Sequence, residues 1–304
     1  MDFIDRLSEK MDSVTSLNLT IAEITVFEFT RIDNTPFRAP RWCLEPSLWH
    51  QWDTSNITSL TLNCVMHEIP SLECVREILA GCQSTLMHLT FEGPVPAPSS
   101  TPLLPVPLPA LKLLRIFYSN EISGLVNLIH APDLGALELH DTCMLEFPNM
   151  GSTDEVALLD ALRPSCANLV ILTITGLVGC PIAHIDTFYQ QMPCLLRFFL
   201  FSAGPQYEDA LFQTTARDEG GPVVFPQLVQ LAITHTCPVG LATLLTRHNA
   251  VPGLFALLDL QISSRQWGEA YLSGSPLVAV LNRAVEGGMK VTLVHEEGLM
   301  DDLD

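Results

Sequence analysis

The residues that could do chemistry are spread thinly through this chain. Nine histidines and nine cysteines occur, but none falls at a spacing that makes a recognised centre. The cysteines at 43, 64, 74, 82, 143, 166, 180, 194 and 237 include no C-x-x-C pair, and no H-E-x-x-H or paired Cys/His spacing suggests zinc. No G-x-x-x-x-G-K-[ST] or G-x-G-x-x-G is present to cradle a phosphate, and no G-x-S-x-G forms a nucleophile elbow. One constellation can be read as an acid–base or metal cluster: His88, Glu92, Glu138 and His140. These residues belong to the third and fifth copies of a repeated strand pattern, so strands about 4.8 Å apart would separate the two pairs by about 9 to 10 Å. That spacing argues against direct contact between them. The expectation is a protein without a catalytic centre, a cofactor or a metal.

The elements that would position such residues are far more legible. The pattern L-x-x-L-x-L, with Ile, Val or Phe allowed, appears as Val14-Leu17-Leu19, Ile57-Leu60-Leu62, Leu86-Leu89-Phe91, Leu111-Leu114-Ile116 and Leu134-Leu137-Leu139. It continues as Leu169-Leu172-Ile174, Leu195-Phe198-Leu200, Leu228-Leu231-Ile233 and Leu257-Leu260-Ile262, with a degenerate copy at Val291-Leu293. Each copy alternates apolar and polar residues, the period of a strand with one buried face. Helical spacing fills the intervals at 71–82, 154–166, 184–192, 238–249 and 275–288. A Pro precedes the first leucine in several copies (Pro109, Pro132, Pro193, Pro226, Pro252). It cannot extend a helix and biases its predecessor to extended geometry, so it suits the turn into the strand. One strand–helix unit cannot bury its own apolar face, so neighbours must stack. The expected fold is α/β: a leucine-rich-repeat solenoid, a curved parallel sheet with helices and loops on the convex side, in a single domain over 1–304.

LRPSCANLVILTI and APDLGALEL resemble the irregular leucine-rich repeats of fungal F-box proteins, over about residues 11 to 295. The resemblance implies a substrate-recognition surface of the ubiquitin-ligase receptor type. The resemblance is expected to cover the repeats without the F-box, since only about ten residues precede the first repeat. Docking to a ligase scaffold is therefore not carried over, and the expectation is a truncated paralogue or a repeat-only relative. The Asn or Cys usual nine residues into such a repeat is also missing.

Composition bounds the partners. Fifteen Lys and Arg stand against 34 Asp and Glu, for a net charge of −19, which repels phosphate backbones and anionic membranes. Apolar residues make up 48%, enough for a sizeable core. An odd, scattered set of cysteines and an N-terminus without an apolar core fit an intracellular chain, cytoplasmic or nuclear. The expected partner is another protein, with neither nucleic acid nor membrane, and the expected state is a monomer.

Three insertions and a tail break the period. Residues 27–56 hold Trp42, Trp49 and Trp52, read either as an N-terminal cap that seals the core or as an aromatic anchor for a partner. Residues 92–109 carry seven prolines and read as an extended loop. Residues 202–225 read as an acidic mobile loop, and 296–304 as an acidic tail. Residues flanking the inward positions of each strand point to the concave face. In the middle copies that face carries Leu113, Arg115 and Phe117, Glu138 and His140, and Arg197, Phe199 and Phe201. Arg and aromatic residues are enriched at interaction hot spots. The other reading is that a long loop covers these rings, or that they reflect the strand preference of aromatics.

Overall fold

The computed structural model describes residues 14–21, 26–31, 36–40, 54–64, 71–93, 103–118, 122–141, 155–216, 225–234, 238–250, 259–263, 268 and 276–294. Where the repeat pattern alone suggests one domain over 1–304, the chain divides into two compact units, Met1–Thr153 and Asp154–Asp304.

The first unit runs β1 (Val14–Ile21), β2 (Val26–Arg31), β3 (Pro36–Pro40), β4 (Ser59–Cys64), α1 (Leu72–Gly81), β5 (His88–Glu92), β6 (Val106–Pro107), β7 (Leu113–Tyr118), α2 (Ser123–Asn127), β8 (Ile129–His130) and β9 (Ala136–Asp141). Its sheet has the order β9-β7-β5-β4-β1-β2-β3. The five strands that carry the leucine pattern are parallel, and β2 and β3 continue the sheet antiparallel beside β1. The second unit runs α3 (Glu155–Leu162), β10 (Ile171–Thr175), α4 (Ile182–Tyr189), β11 (Arg197–Phe201), α5 (Pro205–Ala216), β12 (Gln230–Ile233), α6 (Pro238–Ala250), β13 (Asp259–Ser263), α7 (Pro276–Glu286) and β14 (Lys290–Val294). Here β10 to β14 lie side by side in chain order, all parallel. Parallel neighbours need a crossover between them, and the helices α4 to α7 provide it.

The register follows the leucines. Leu60 pairs with Leu89, Leu89 with Leu114, and Leu114 with Leu137. In the second unit Leu172, Phe198, Leu231 and Leu260 form the same row. All are at most 2% exposed. A slip by one residue would turn every one of them to the other face, so burial on one side specifies the pairing.

The recurring prolines have a definite place. Leu108, Ala131, Met192 and Phe225 each accept a hydrogen bond at the carbonyl from the residue three positions on: Leu111 (3.1 Å), Leu134 (3.2 Å), Leu195 (3.3 Å) and Leu228 (3.1 Å). Pro109, Pro132, Pro193 and Pro226 therefore occupy the second position of a four-residue turn, where their fixed φ is already correct. The first turn residue is buried each time, and in one of the copies without proline Cys166 takes that slot, with Leu169 N–H donating to its carbonyl at 3.1 Å. Phe225 holds a φ of 57° there, a strained value for a residue with a side chain. Its ring is fixed 5.4 Å from Tyr189 and 5.7 Å from Phe198.

One expectation about the insertions changes, and the other two gain detail. Within 202–225, Pro205–Ala216 is a helix rather than a mobile loop. Pro sits at its first position, Glu208 lies in its first turn, and Tyr207, Ala210 and Leu211 are buried at helical spacing. Within 92–109, Val106 and Pro107 form a short strand that pairs with β8, and Val106 and Leu108 are buried. Within 27–56, β2 and β3 are strands, while Trp42, Trp49 and Trp52 lie outside the described residues. The tail 296–304 lies outside them as well. Among the described residues, no helix is long and apolar enough to cross a membrane.

Leu137, completely buried in the row of β9, tests this register. Leu137→Arg forfeits roughly 1.5–3 kcal/mol of burial and strands an unpaired charge as well. Calorimetry should show the melting transition falling by at least about 10 °C, and an unchanged transition would mean that Leu137 does not face the core.

Candidate functional site

The polar face of the first unit's sheet brings together four of the residues singled out above. Arg115 and Phe117 alternate along β7, Glu138 and His140 along β9, and the ladder sets Arg115 opposite Glu138 and Phe117 opposite His140. Arg115 Nε lies 2.9 Å from Glu138 Oε2. His140 Nε2 lies 3.9 Å from the same oxygen, too far for a good hydrogen bond. The His140 ring stacks on Phe117, with centroids 4.4 Å apart and planes 7° from parallel. Leu113 is half-buried at the start of the same row.

This cluster differs from the expected open surface. Glu138 and His140 are only 8% and 6% exposed, and Asp141 beside them is 3% exposed. Arg115 keeps a third of its side chain in solvent. Burial pushes the Glu138 carboxyl up, but the imidazole of His140 and the charge of Arg115 outweigh it, so its pKa falls below the ordinary carboxylate value. The carboxylate is thus committed to neighbours on its own sheet. His88 and Glu92 lie on β5, in line with Leu113 and Phe117 of β7, so β7 separates them from Glu138 and His140.

In the second unit Arg197, Phe199 and Phe201 alternate along β11 on one face, with the two rings 6.2 Å apart. Arg197 is exposed and Phe199 half-buried, whereas Phe201 is 8% exposed. Their ladder neighbours are Ile171, Thr173 and Thr175 on β10 and Gln230 and Ala232 on β12. Thr173, Thr175 and Thr234 are buried, and the Thr234 hydroxyl accepts from the Ser202 N–H at 2.8 Å. The open part of this face is therefore its Arg197 side.

A third cluster escaped the reading of the sequence. Glu155, in the first turn of α3, is 4% exposed. Its Oε1 accepts from the backbone N–H groups of Val178 (2.9 Å) and Gly179 (2.8 Å), and its Oε2 accepts from the Tyr207 hydroxyl (2.7 Å). Gln206 Nε2 donates to the Val178 carbonyl, and the Tyr189 hydroxyl donates to the Tyr207 carbonyl at 3.3 Å. Burial first, and then the Glu155 carboxylate, push the Tyr207 phenol far above its usual range, so it stays a proton donor. One carboxylate thereby ties α3, the loop after β10 and α5. The only hint in the sequence was an Asp-Glu pair at a helix start, Asp154 and Glu155.

The thiols behave as core. Cys74, Cys82, Cys166 and Cys180 are buried and Cys194 half-buried, all of them free. Burial pushes Cys82 and Cys166 up to about 12, which removes the thiolate that nucleophilic chemistry needs. Cys143 and Cys237, read as small buried fillers, lie outside the described residues. Among the described residues, no three His, Cys, Asp or Glu side chains are grouped to hold a metal. No protein-family model and no curated protein matches the chain.

Two outcomes follow from the buried carboxylates. A lowered folded pKa means that Glu138 stabilises the fold above the ordinary carboxylate pKa and loses that contribution as pH falls through its own value. The stability gap between wild type and Glu138→Gln should be roughly 1–3 kcal/mol at pH 7 and should narrow below about pH 4. Urea unfolding across pH reads this out, and a gap independent of pH would refute the ion pair. Glu155→Ala strands two backbone N–H groups and should cost about 3 kcal/mol or more, visible as a lower denaturant midpoint, with Glu155→Gln in between.

Proposed function

We propose that the chain is a leucine-rich-repeat solenoid that captures another protein on the polar face of its parallel sheet, as a recognition scaffold without a reaction centre of its own. The kinship with F-box-type substrate receptors belongs to this reading. It rests on the repeat grammar: strands in strict register, a turn with proline in its second position, and helices between the strands. The observation that carries the binding reading is the Arg197–Phe199 step on β11. A cation that is exposed and an aromatic ring that is half-exposed stand two residues apart on one face, bordered by Gln230 and Ala232. An aromatic ring has few rotatable bonds to freeze on docking, and the exposed guanidinium beside it adds charge and hydrogen-bond donors, which suits the pair to anchor a partner.

The Arg115–Glu138 pair supports the same reading differently. Its charges neutralise each other at 2.9 Å, an arrangement that offers shape and one partly open guanidinium rather than a poised acid or base.

Quantitative affinity capture from native extract tests this reading. The double variant Arg197→Ala with Phe199→Ala should lose at least about tenfold of a specifically enriched protein, equivalent to ~1.4 kcal/mol, while its melting temperature stays near wild type. Phe201→Ala should instead destabilise, by roughly 3 kcal/mol, because that ring is buried. Undiminished capture by the double variant would rule this face out.

A further inference from the structure

The charges around Arg197 say what chemistry suits the β11 face. In the second unit, parallel pairing lines up Ile171, Arg197, Gln230, Asp259 and Lys290 as one row across the polar side of the sheet. Arg197, Asp259 and Lys290 are the charges that the described strands place on that side, two cations against one carboxylate. The chain as a whole carries −19. Lys290 and Asp259 meet at 3.4 Å. Asp259 stands two strands from Arg197, about 9 to 10 Å away, beyond a direct pair. Among the described residues, Arg115 pairs with Glu138 and Arg163 with Asp160, while the exposed Arg197 has no such partner. Its charge is left uncompensated on the sheet.

The second row sets an apolar surface beside that charge. Phe199 follows two residues along β11, about 6.5 Å on, and is half-buried. Its ladder neighbours are Thr173 and Ala232, 1% and 0% exposed. Both are far smaller than the ring, which leaves part of Phe199 uncovered between them. In the third row Thr175, Phe201 and Ser263 are buried, so the open surface ends there.

A segment that docks here must bring an anion to Arg197 and an apolar group to Phe199. Side chains on one face of an extended chain recur every second residue, so a strand-like segment laid along β11 meets both with residues two apart. The net charge of −19 limits the anion, because it repels dianions and acidic runs at long range. A single carboxylate matches the guanidinium fork and brings the least repulsion with it.

We infer that the partner presents to this face an extended segment in which one Asp or Glu stands two residues from an apolar side chain, the carboxylate on Arg197 and the apolar group on Phe199. The inference rests on the reading of this face as the capture surface and names the chemistry of what is captured.

Selection from a displayed library of random nonapeptides on the immobilised whole chain tests it. Wild type should enrich sequences with Asp or Glu two residues from Leu, Ile, Val or Phe. Arg197→Glu alters an exposed side chain and should melt as wild type does, yet it should enrich Lys or Arg in place of the acid. Phe199→Ala should keep the preference for the acid and lose that for the apolar residue. Without any variant of the protein, the best-enriched peptide should bind about fivefold more weakly once Gln replaces its acid. Enrichment without an acid, an unchanged acid preference in Arg197→Glu, or no enrichment at all would overturn the inference while the capture surface still stood. Capture from extract that survives the Arg197→Ala, Phe199→Ala double variant would instead remove the surface itself. A wild-type dimer in sedimentation velocity that Arg197→Glu dissolves would make a second copy the occupant and refute a foreign segment.

Discussion

Every strand of the leucine pattern has one face that cannot be left in water and is too short to bury it alone. Leu60, Leu89, Leu114 and Leu137 in one unit, and Leu172, Phe198, Leu231 and Leu260 in the other, are buried only because the next strand sets its own apolar residue in the same row. The Pro turns serve that constraint. Each brings the chain into its strand with one buried residue ahead of the proline and one buried leucine behind it. Carbonyls at strand entrances then accept from the following copy, as Lys112 does from Gly135 (3.0 Å) and Ala136 (2.8 Å). The register is set before the strand begins.

What varies between copies sits on top of this frame and obeys different rules. Arg115, Phe117, Glu138 and His140 fill one patch because parallel pairing puts equal positions opposite one another, so an acid meets a cation and a ring meets a ring. Of the four, Glu138 and His140 are the ones withdrawn from solvent, while Arg115 keeps a third of its side chain in water. On β11 no acid stands opposite Arg197: Ile171 and Gln230 flank it in the ladder. The contrast locates the more available surface in the second unit.

Between the helices the structure solves a problem that the leucines do not pose. The loop after β10 exposes backbone N–H groups toward the interior, and in a low-dielectric setting those donors need an acceptor. Glu155 supplies it, from a helix that precedes the loop by some twenty residues. Tyr207 takes its remaining oxygen from a segment whose acids and glycines conceal a helix.

The amino-acid sequence by itself determined the positions and parallel register of the leucine-pattern strands, most helices and the placing of the prolines, but not β2, β3, β6 or β8. These rest on period-two and period-3.6 patterns and on the fixed φ of proline, all of them local. It did not reveal the helix Pro205–Ala216, whose apolar residues are diluted by acids and Thr. It also left open which side chains of the polar face remain accessible. That Glu138 and His140 are buried while Arg197 is open, and that Glu155 closes a distant loop, were decided only by tertiary structure. Burial depends on what the neighbouring strand presents, and no periodicity within a single copy carries that information.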